Sequence, residues 1–246
     1  MPEHASDSLN HSWTGFYLGN NLGGVWGGGN LRTTAALAAP GIQFPASYFQ
    51  ATSIPAIGTV GAQNINSSGV TAGITGGYNW QKGNLVLGFE SEFGHFDLHG
   101  DVTGAAVYPC CAPTGFTIKS SVRSDFLFTA RPRIGWAYRD ALLFISGGLA
   151  GSKLKSDFMF SDNNSAAAAS GSLSSIAVGY SFGGGIEARV GDHWSVEAEY
   201  LYVDLGRESA TSANLTTAYG PSPLNVFTHS VDLFANLARV GVNYRF

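Results

Sequence analysis

The sequence is poor in charge and contains no long apolar run. Charged residues make up 12% of the 246 residues, about half of the ~25% that is usual in soluble proteins. No stretch approaches the ~20 consecutive apolar residues of a transmembrane helix, which excludes a helical membrane protein. With 13 basic residues and a net charge of −4, the chain lacks the basic surplus of a nucleic-acid-binding protein, and no nucleic-acid partner is expected.

Cysteine is almost absent as well. The two cysteines, Cys110 and Cys111, are adjacent, whereas a metal site needs more ligands at wider spacing. The sequence leaves open whether they form a ring disulfide, pair with another chain or stay reduced. It assigns no catalytic residue and no metal ligand.

The first residues, 1–12, are polar and lack the apolar core of a secretory signal peptide. For an exported chain, the signal is therefore expected to have been removed. The remainder, residues 13–246, is expected to form a single domain, because β-barrels often reach this length as one unit.

The sequence does contain a hydrophobic pattern that repeats every two residues. Large apolar side chains alternate with small or polar ones in eight segments, which are residues 13–26, 69–81, 85–97, 122–138, 141–151, 176–190, 194–205 and 231–246. Such alternation is typical of strands with one apolar and one polar face. Because a membrane protein without spanning helices has to close its sheet in lipid, the segments predict an all-β, eight-stranded antiparallel up-and-down transmembrane barrel.

The connections between these segments alternate in length. Three are tight, at residues 82–84, 139–140 and 191–193, and four are long, at about 27–68, 98–121, 152–175 and 206–230. Outer-membrane barrels have short turns toward the periplasm and longer loops outside. The pattern therefore predicts three short periplasmic turns, four long extracellular loops and both termini in the periplasm of an outer-membrane protein.

Tryptophan placement supports the same arrangement. Trp13, Trp80, Trp136 and Trp194 all fall near the tight turns, and amphipathic rings favour the headgroup level of a membrane. They predict an aromatic girdle, which Tyr244 and Phe246 are expected to join. Outer-membrane lipids and lipopolysaccharide are accordingly expected as partners.

The opposite strand faces carry matching charges. The acids are Glu90, Glu92, Glu187, Glu197 and Glu199, and the arginines are Arg131, Arg133, Arg189, Arg239 and Arg245. Inside a narrow barrel these groups can pair and satisfy one another. Because eight strands enclose a space that side chains fill, we expect a plugged polar lumen without a wide channel. Pro132 lacks the N–H that a closed barrel needs, so a bulge or a water is expected there.

Several strings resemble one known family. They are WTGFYLG at residues 13–19, GGYNWQ at 76–81, GFESEF at 88–93, RPRIG at 131–135, GGGIE at 183–187, WSVEAEYLYVDLG at 194–206 and RVGVNYRF at 239–246. Together they resemble the strands of the outer-membrane immunogenic proteins of alphaproteobacteria, small porin-like relatives of the OmpA membrane domain. The Cys110-Cys111 pair and the long loops are not part of that pattern.

This resemblance implies an eight-stranded barrel in the outer membrane of a Gram-negative cell. Members of the family are described as porin-like or structural surface antigens, and some bind haem. Phe246, with Tyr244 two positions before it, resembles the signal read by the barrel-assembly machinery, which is thus an expected partner of the last strand.

Four functions compete on the sequence alone. The first is a structural surface barrel with little or no pore activity. The second is ligand or host-surface binding through loops, with His95, His99 and His229 as candidate haem ligands. The third is a lipid-modifying enzyme that uses His95, Asp97 and His99 at the rim. The fourth, a soluble lipocalin-type barrel, requires an apolar interior and a charged exterior.

Overall fold

The period-two alternation is realised as eight long antiparallel strands in a computed structural model, which describes residues 12–38 and 47–246. They are β1 (Gly15–Leu37), β2 (Ala62–Lys82), β3 (Leu85–Val107), β4 (Gly115–Tyr138), β5 (Ala141–Asp162), β6 (Ala168–Arg189), β7 (Trp194–Ser212) and β10 (Asn225–Arg245). A short hairpin, β8 (Thr216–Thr217) and β9 (Gly220–Pro221), lies between β7 and β10, and the helix α1 (Ser53–Val60) precedes β2.

The eight long strands close into a ring. Each pairs with its neighbour along the chain, β7 pairs with β10, and β10 pairs back with β1. No long strand therefore has an open edge, and the predicted up-and-down barrel is confirmed. Within the described residues, no helix has the length and apolar character that a helical membrane crossing requires.

The two ends of the ring differ. At the end that we call the turn end, residues 83–84, 139–140 and 190–193 connect the strands. Gly83 and Arg139 have φ values of 61° and 54°, as two-residue hairpin turns need. At the loop end, the connections are residues 38–61, 108–114, 163–167 and 213–224. The polar tail predicted at residues 1–12 lies outside the described residues apart from Ser12.

The strands are much longer than predicted, and two of the four predicted long loops, at about 98–121 and 152–175, are reduced to residues 108–114 and 163–167. Most of residues 98–121, for example, belongs to β3 and β4, which stay paired from Leu98 opposite Ser124 to Val107 opposite Gly115. These segments are rich in Gly, Ala, Ser and Thr, so their hydropathy contrast is weak. The ladder forms there because backbone hydrogen bonds do not depend on side-chain type.

The barrel consists of two halves with opposite polarity. In the turn half, which is the half next to the turn end, large apolar side chains face outward and form a belt. On β6 the belt runs from Ile176 to Ile186. This length matches the ~9–11 residues of a tilted membrane-spanning strand. In the loop half, the outward positions are mostly polar, as Ser170, Ser172 and Ser174 on β6 show. The halves meet near Trp26 and Tyr200, whose rings lie 6.2 Å apart.

Pro132 does not cause the predicted bulge. It faces outward on β4 opposite Phe89 of β3. Toward β5, the pairs on either side of it, Ala130 with Leu149 and Arg133 with Ser146, keep one register. The shift between β4 and β5 lies instead between Ser124 and Phe128, at the boundary of the two halves.

Candidate functional site

The charged cluster lies inside the turn half, and Arg131 is at its centre. Arg131 projects inward from β4 and is fully buried. Its Nη2 lies 2.5 Å from Glu90 Oε1 on neighbouring β3, and its Nη1 lies 2.6 Å from Glu199 Oε1 on β7. Since β3 and β7 are not neighbours in the ring, this one guanidinium joins carboxylates from opposite walls and bridges the lumen.

Two further arginines extend the cluster. Arg133 contacts Glu90 at 3.2 Å and Glu187 at 3.0 Å, while its guanidinium lies 3.9 Å from the centre of the Phe144 ring. Arg239 on β10 bonds to Glu92 and Glu199. The arginines thus link β3, β4, β6, β7 and β10 through charge-assisted hydrogen bonds.

Glu197 is the least compensated acid of the cluster. Its Oε2 lies 3.7 Å from Arg133 Nη1 and accepts a hydrogen bond of 3.2 Å from Asn243 Nδ2. Tyr17, which is not among the predicted interior residues, donates to Glu90 Oε2 at 2.7 Å. Its inward position between outward Phe16 and Leu18 was readable from the alternation of β1.

Trp13 is not part of the girdle, so that prediction is wrong. Its side chain is 0% exposed and closes the turn end of the lumen. The guanidinium groups of Arg189 and Arg245 lie 4.5 and 4.4 Å from its ring centre. The ring packs in an apolar cluster with Val86, Ala137, Leu142 and Phe144. Trp13 precedes β1, so it can fold under the barrel instead of pointing outward.

Arg189 and Arg245 also differ from the prediction of a single network. Arg189 lies over Trp13 and donates to the Ser12 carbonyl at the rim. Arg245 reaches Glu187 at 3.5 Å. Both arginines hold the tryptophan in place through cation–π contacts, while the central ion pairs rest on Arg131, Arg133 and Arg239.

The remaining predicted girdle residues face outward at the turn end. Trp80, Trp136, Trp194 and Phe246 are exposed, and Tyr244 is half-buried. Tyr244 packs against both Trp194 and Phe246, with ring centres 5.0 and 5.2 Å apart. These outward-facing rings mark the membrane interface at the turn end, and Trp13 does not contribute to it.

The interior of the loop half is apolar, which corrects the expectation of a polar lumen along the whole barrel. Above the charges lies a buried layer that includes Phe96, Leu98, Leu154, Leu201 and Leu233. A second apolar layer with Phe158, Phe160 and Phe227 lies beyond it, under α1. In this half the barrel has the polarity of a soluble β-barrel.

His229 lies inside this apolar interior, and the three candidate haem ligands are not brought together. The Nδ1 and Nε2 atoms of His229 lie 3.2 and 3.1 Å from the hydroxyls of Thr33 and Ser212, and Phe158 stacks on the imidazole ring. Burial lowers the pKa of His229 to about 4. The adjoining cavity of about 20 Å³ is far too small for a haem, so His229 does not fit that role.

His95 and His99 face outward on β3, away from His229. His99 Nδ1 lies 2.9 Å from Asp97 Oδ1. The hydroxyl of Ser67 accepts a hydrogen bond from the backbone N–H of His99 at 3.1 Å, a contact with the main chain of His99 and not with its ring. The acid and base of the enzyme hypothesis are present, but this contact supplies no activated nucleophile. No group of three His, Cys, Asp or Glu in residues 12–38 and 47–246 is arranged to hold a metal ion.

The loop end carries a cleft of about 570 Å³. Cys110 and Cys111 form a disulfide at its edge, which answers the question left open by the sequence. Tyr48 and Tyr108 both donate to Asp162 Oδ2, at 2.5 and 3.0 Å. Burial, followed by the charge of Asp162, raises the pKa of Tyr108, so its phenol stays protonated.

An antiparallel ring of eight strands with an apolar belt outside and paired charges inside is a transmembrane β-barrel. Residues 3–246 match the family model described as "Outer membrane protein beta-barrel domain", and the chain belongs to this family.

The chain is also similar to individual members of the class. It is 29% identical to the 31 kDa outer-membrane immunogenic protein of Brucella melitensis over 96% of this chain and 84% of that protein. It is 29% identical to the 22 kDa outer membrane protein of Rhizobium leguminosarum over 65% and 66%. Among solved structures, Neisserial surface protein A is 11% identical, with 95% and 98% coverage and a TM-score of 0.38. The predicted outer-membrane location and the resemblance to the immunogenic proteins are confirmed.

Proposed function

We propose that the protein is a structural, non-enzymatic surface barrel with a closed interior, whose loop end faces the cell exterior. The observation that carries this proposal is the stacking of three different plugs along one axis. Trp13 closes the turn end, the ion pairs of Arg131 bridge the middle, and Phe96 and Leu98 occupy the loop half.

The middle plug and the plug of the loop half oppose ions for different physical reasons. An ion entering the middle layer has to separate buried ion pairs, which leaves uncompensated charge at a cost of several kcal/mol. An ion entering the loop half has to leave water for a packed apolar interior. Rotation of one side chain does not open such a path, because the plugs are independent.

Recording from single molecules in planar bilayers tests the closed interior. The refolded chain is expected to give no steady conductance, while a wide porin in the same bilayer gives one. Steady nanosiemens steps from the refolded chain would contradict the proposal. The triple variant Arg131→Ala, Phe96→Ala, Leu98→Ala thins two plugs at once and is expected to conduct more than the parent if it folds.

The orientation is proposed from the asymmetry of the two ends. The loop end holds the longer connections and the cleft, and barrels of this class expose their longer connections outside the cell. An epitope tag inserted at residues 163–167 is expected to bind antibody on intact cells, whereas a tag at residues 190–193 is expected to bind only after the cells are opened. The reverse result would invert the orientation.

The last strand is proposed to address the barrel-assembly machinery through Phe246 and Tyr244. Phe246 is 74% exposed and thus available to a partner. Phe246→Ala is expected to lower the folded fraction in cells without changing refolding in vitro. Phe16→Ala removes another exposed ring at the same end and serves as the matched control. Equal losses in cells for both variants would contradict a specific signal.

A further inference from the structure

The outward-facing basic residues of the loop half are concentrated on two adjacent strands. Lys119 and Arg123 face outward on β4, and Lys153 and Lys155 face outward on β5. Elsewhere on the described outer surface of this half, the basic side chains are Arg32 on β1 and Arg207 on β7. Arg207 is already bound to Asp232, with its Nη2 2.9 Å from Oδ2.

The strand register places like charges side by side. Arg123 is directly opposite Lys155 on β5. Like charges at directly opposed positions destabilise a sheet. An anion bound between Arg123 and Lys155 would remove this repulsion.

The acids around Arg123, Lys153 and Lys155 compensate their positive charge only in part. Arg123 Nε lies 2.9 Å from Asp125 Oδ1, an exposed pair of the kind that contributes little. Asp157 follows Lys155 on the same strand face and, like Asp101 opposite Ser121, lies on the side away from the apolar belt. Asp97 is engaged by His99. Asp125 and Asp97 lie on the belt side of Arg123 and His99, so the uncompensated charge is that of Lys153 and Lys155, which form no ion pair within the described part of the chain.

The patch is continuous with the lipid-facing surface. Lys153 is opposite Ile176, the last large apolar residue of the belt on β6, and Lys155 is opposite Ser174. Phe128 and Leu149 are the corresponding exposed apolar side chains on β4 and β5. Lys153 and Lys155 thus lie where the charged headgroup of a lipid begins, with the hydroxyls of β6 beside them.

We propose that Arg123, Lys153 and Lys155, called here the basic patch, bind the phosphate of a membrane lipid whose acyl chains lie against the belt below. Three ammonium or guanidinium groups around one position suit a phosphate. The adjoining belt favours a lipid-anchored phosphate over a free one. Assignment to the outer leaflet, and hence to a phosphorylated glycolipid of the lipopolysaccharide type, rests on the proposed orientation.

The test measures lipid binding to the full refolded chain in zwitterionic micelles by native mass spectrometry. The probes are phosphorylated lipid A, the same lipid A after phosphatase treatment, and inorganic phosphate. Phosphorylated lipid A is expected to bind best, and its affinity is expected to fall with added salt. Removal of charge in Arg123→Gln, Lys153→Gln, Lys155→Gln is expected to weaken binding roughly fivefold per residue, about 100-fold in all.

Three controls make the result decisive. Arg32→Gln removes an outward-facing basic side chain of β1, four strands away from β5 in the ring, and is expected to change the affinity less than twofold. Lys153→Arg with Lys155→Arg keeps the charge and is expected to keep binding, which separates charge from altered folding. Heat-dependent gel mobility reports that each variant is a folded barrel.

Three outcomes would overturn the proposal. They are equal binding of the phosphatase-treated lipid, an affinity of the triple variant within twofold of the parent, and displacement of lipid A by an equal concentration of inorganic phosphate. The experiment in micelles does not depend on orientation. A reversed tagging result with retained binding would thus move the lipid to the other leaflet without removing the site.

Discussion

The turn half and the loop half of this barrel are built from the same strands, yet they place apolar side chains on opposite faces. On β3, Phe93 faces outward in the turn half and is 60% exposed, while Phe96, three residues further on at the register shift between His95 and Leu98, faces inward and is 0% exposed. The backbone ladder continues through both positions. The comparison shows that the solvent outside each half, lipid or water, decides which face is apolar.

The two interiors also reach stability by different routes. In the turn half, carboxylates and arginines are withdrawn from water and compensate one another across the lumen. In the loop half, close-packed aliphatic and aromatic side chains fill the same space. The first route depends on keeping every partner, because a single loss leaves a buried charge. The stability of the second interior depends on side chains that fill its volume without cavities.

The largest effect is expected from Arg131→Met, which leaves Glu90 and Glu199 without their shared partner. The free energy of unfolding is expected to fall by about 3–5 kcal/mol. Arg123→Met, on the exposed exterior of the same strand, is expected to cost at most about 1 kcal/mol. Equilibrium urea unfolding in the same micelles measures both. Equal costs would show that the interior charges are not a buried network.

Phe96→Ala and Phe93→Ala compare the two faces of one strand. Phe96→Ala removes a packed ring and leaves a cavity, and it is expected to cost about 3–5 kcal/mol. Phe93→Ala is expected to cost about 1.5–3 kcal/mol, because fluid lipid fills the vacated space. Unfolding into urea from lipid vesicles measures the difference. The difference between the two stability costs is expected to vanish if Phe96 lies against solvent instead of the core.

A charge placed outside the barrel distinguishes lipid from water. Ile145→Arg in the turn half is expected to cost about 2–4 kcal/mol, as for arginine deep in a bilayer. Met159→Arg, on the same face of β5 in the loop half, is expected to change stability by less than about 0.5 kcal/mol. Both side chains are similarly exposed, at 53% and 54%. A comparable penalty at both sites, measured in vesicles, would place the membrane boundary elsewhere.

The smallest effect concerns pH and the loop half. The pKa of His229 is about 4 in the folded chain and about 6.5 when unfolded, so the unfolded state binds more protons between these values. Stability is fully present above pH 6.5 and is expected to fall by roughly 1–2 kcal/mol as the pH drops to 4, after allowance for partial exposure. His229→Gln is expected to remove this loss of stability at low pH. An unchanged pH profile in the variant would assign it to other groups.

Much of the turn half could be predicted from the sequence, and the reason is local. The pairs Glu90 with Arg131 and Gly88 with Arg133 are direct cross-strand neighbours, so alternation alone places their side chains on one face. The outward position of Trp80, Trp136 and Trp194 follows from the same period. Trp13 escaped prediction because it precedes the first strand and has no alternation to orient it.

The loop half was harder to predict. Its strands contain many small residues, so residues 98–121 and 152–175 lack the hydropathy contrast of the other strands, and the sequence predicts loops there. Leu201 and Leu205 lie inside, on the same face as Glu199. That face changes from charged to apolar along one strand, which a single assignment of polar inside and apolar outside does not describe.

The class of the protein, the number of strands, most of the interior charges and the tight-turn end can be predicted from the chain alone, because period-two alternation relates residues that are neighbours along one strand. The bridge from Arg131 to β3 and β7, the closure of the lumen by Trp13 and the apolar interior of the loop half become visible only in the folded barrel. These features depend on which walls face each other across a closed ring, and closure brings together residues that no local pattern connects.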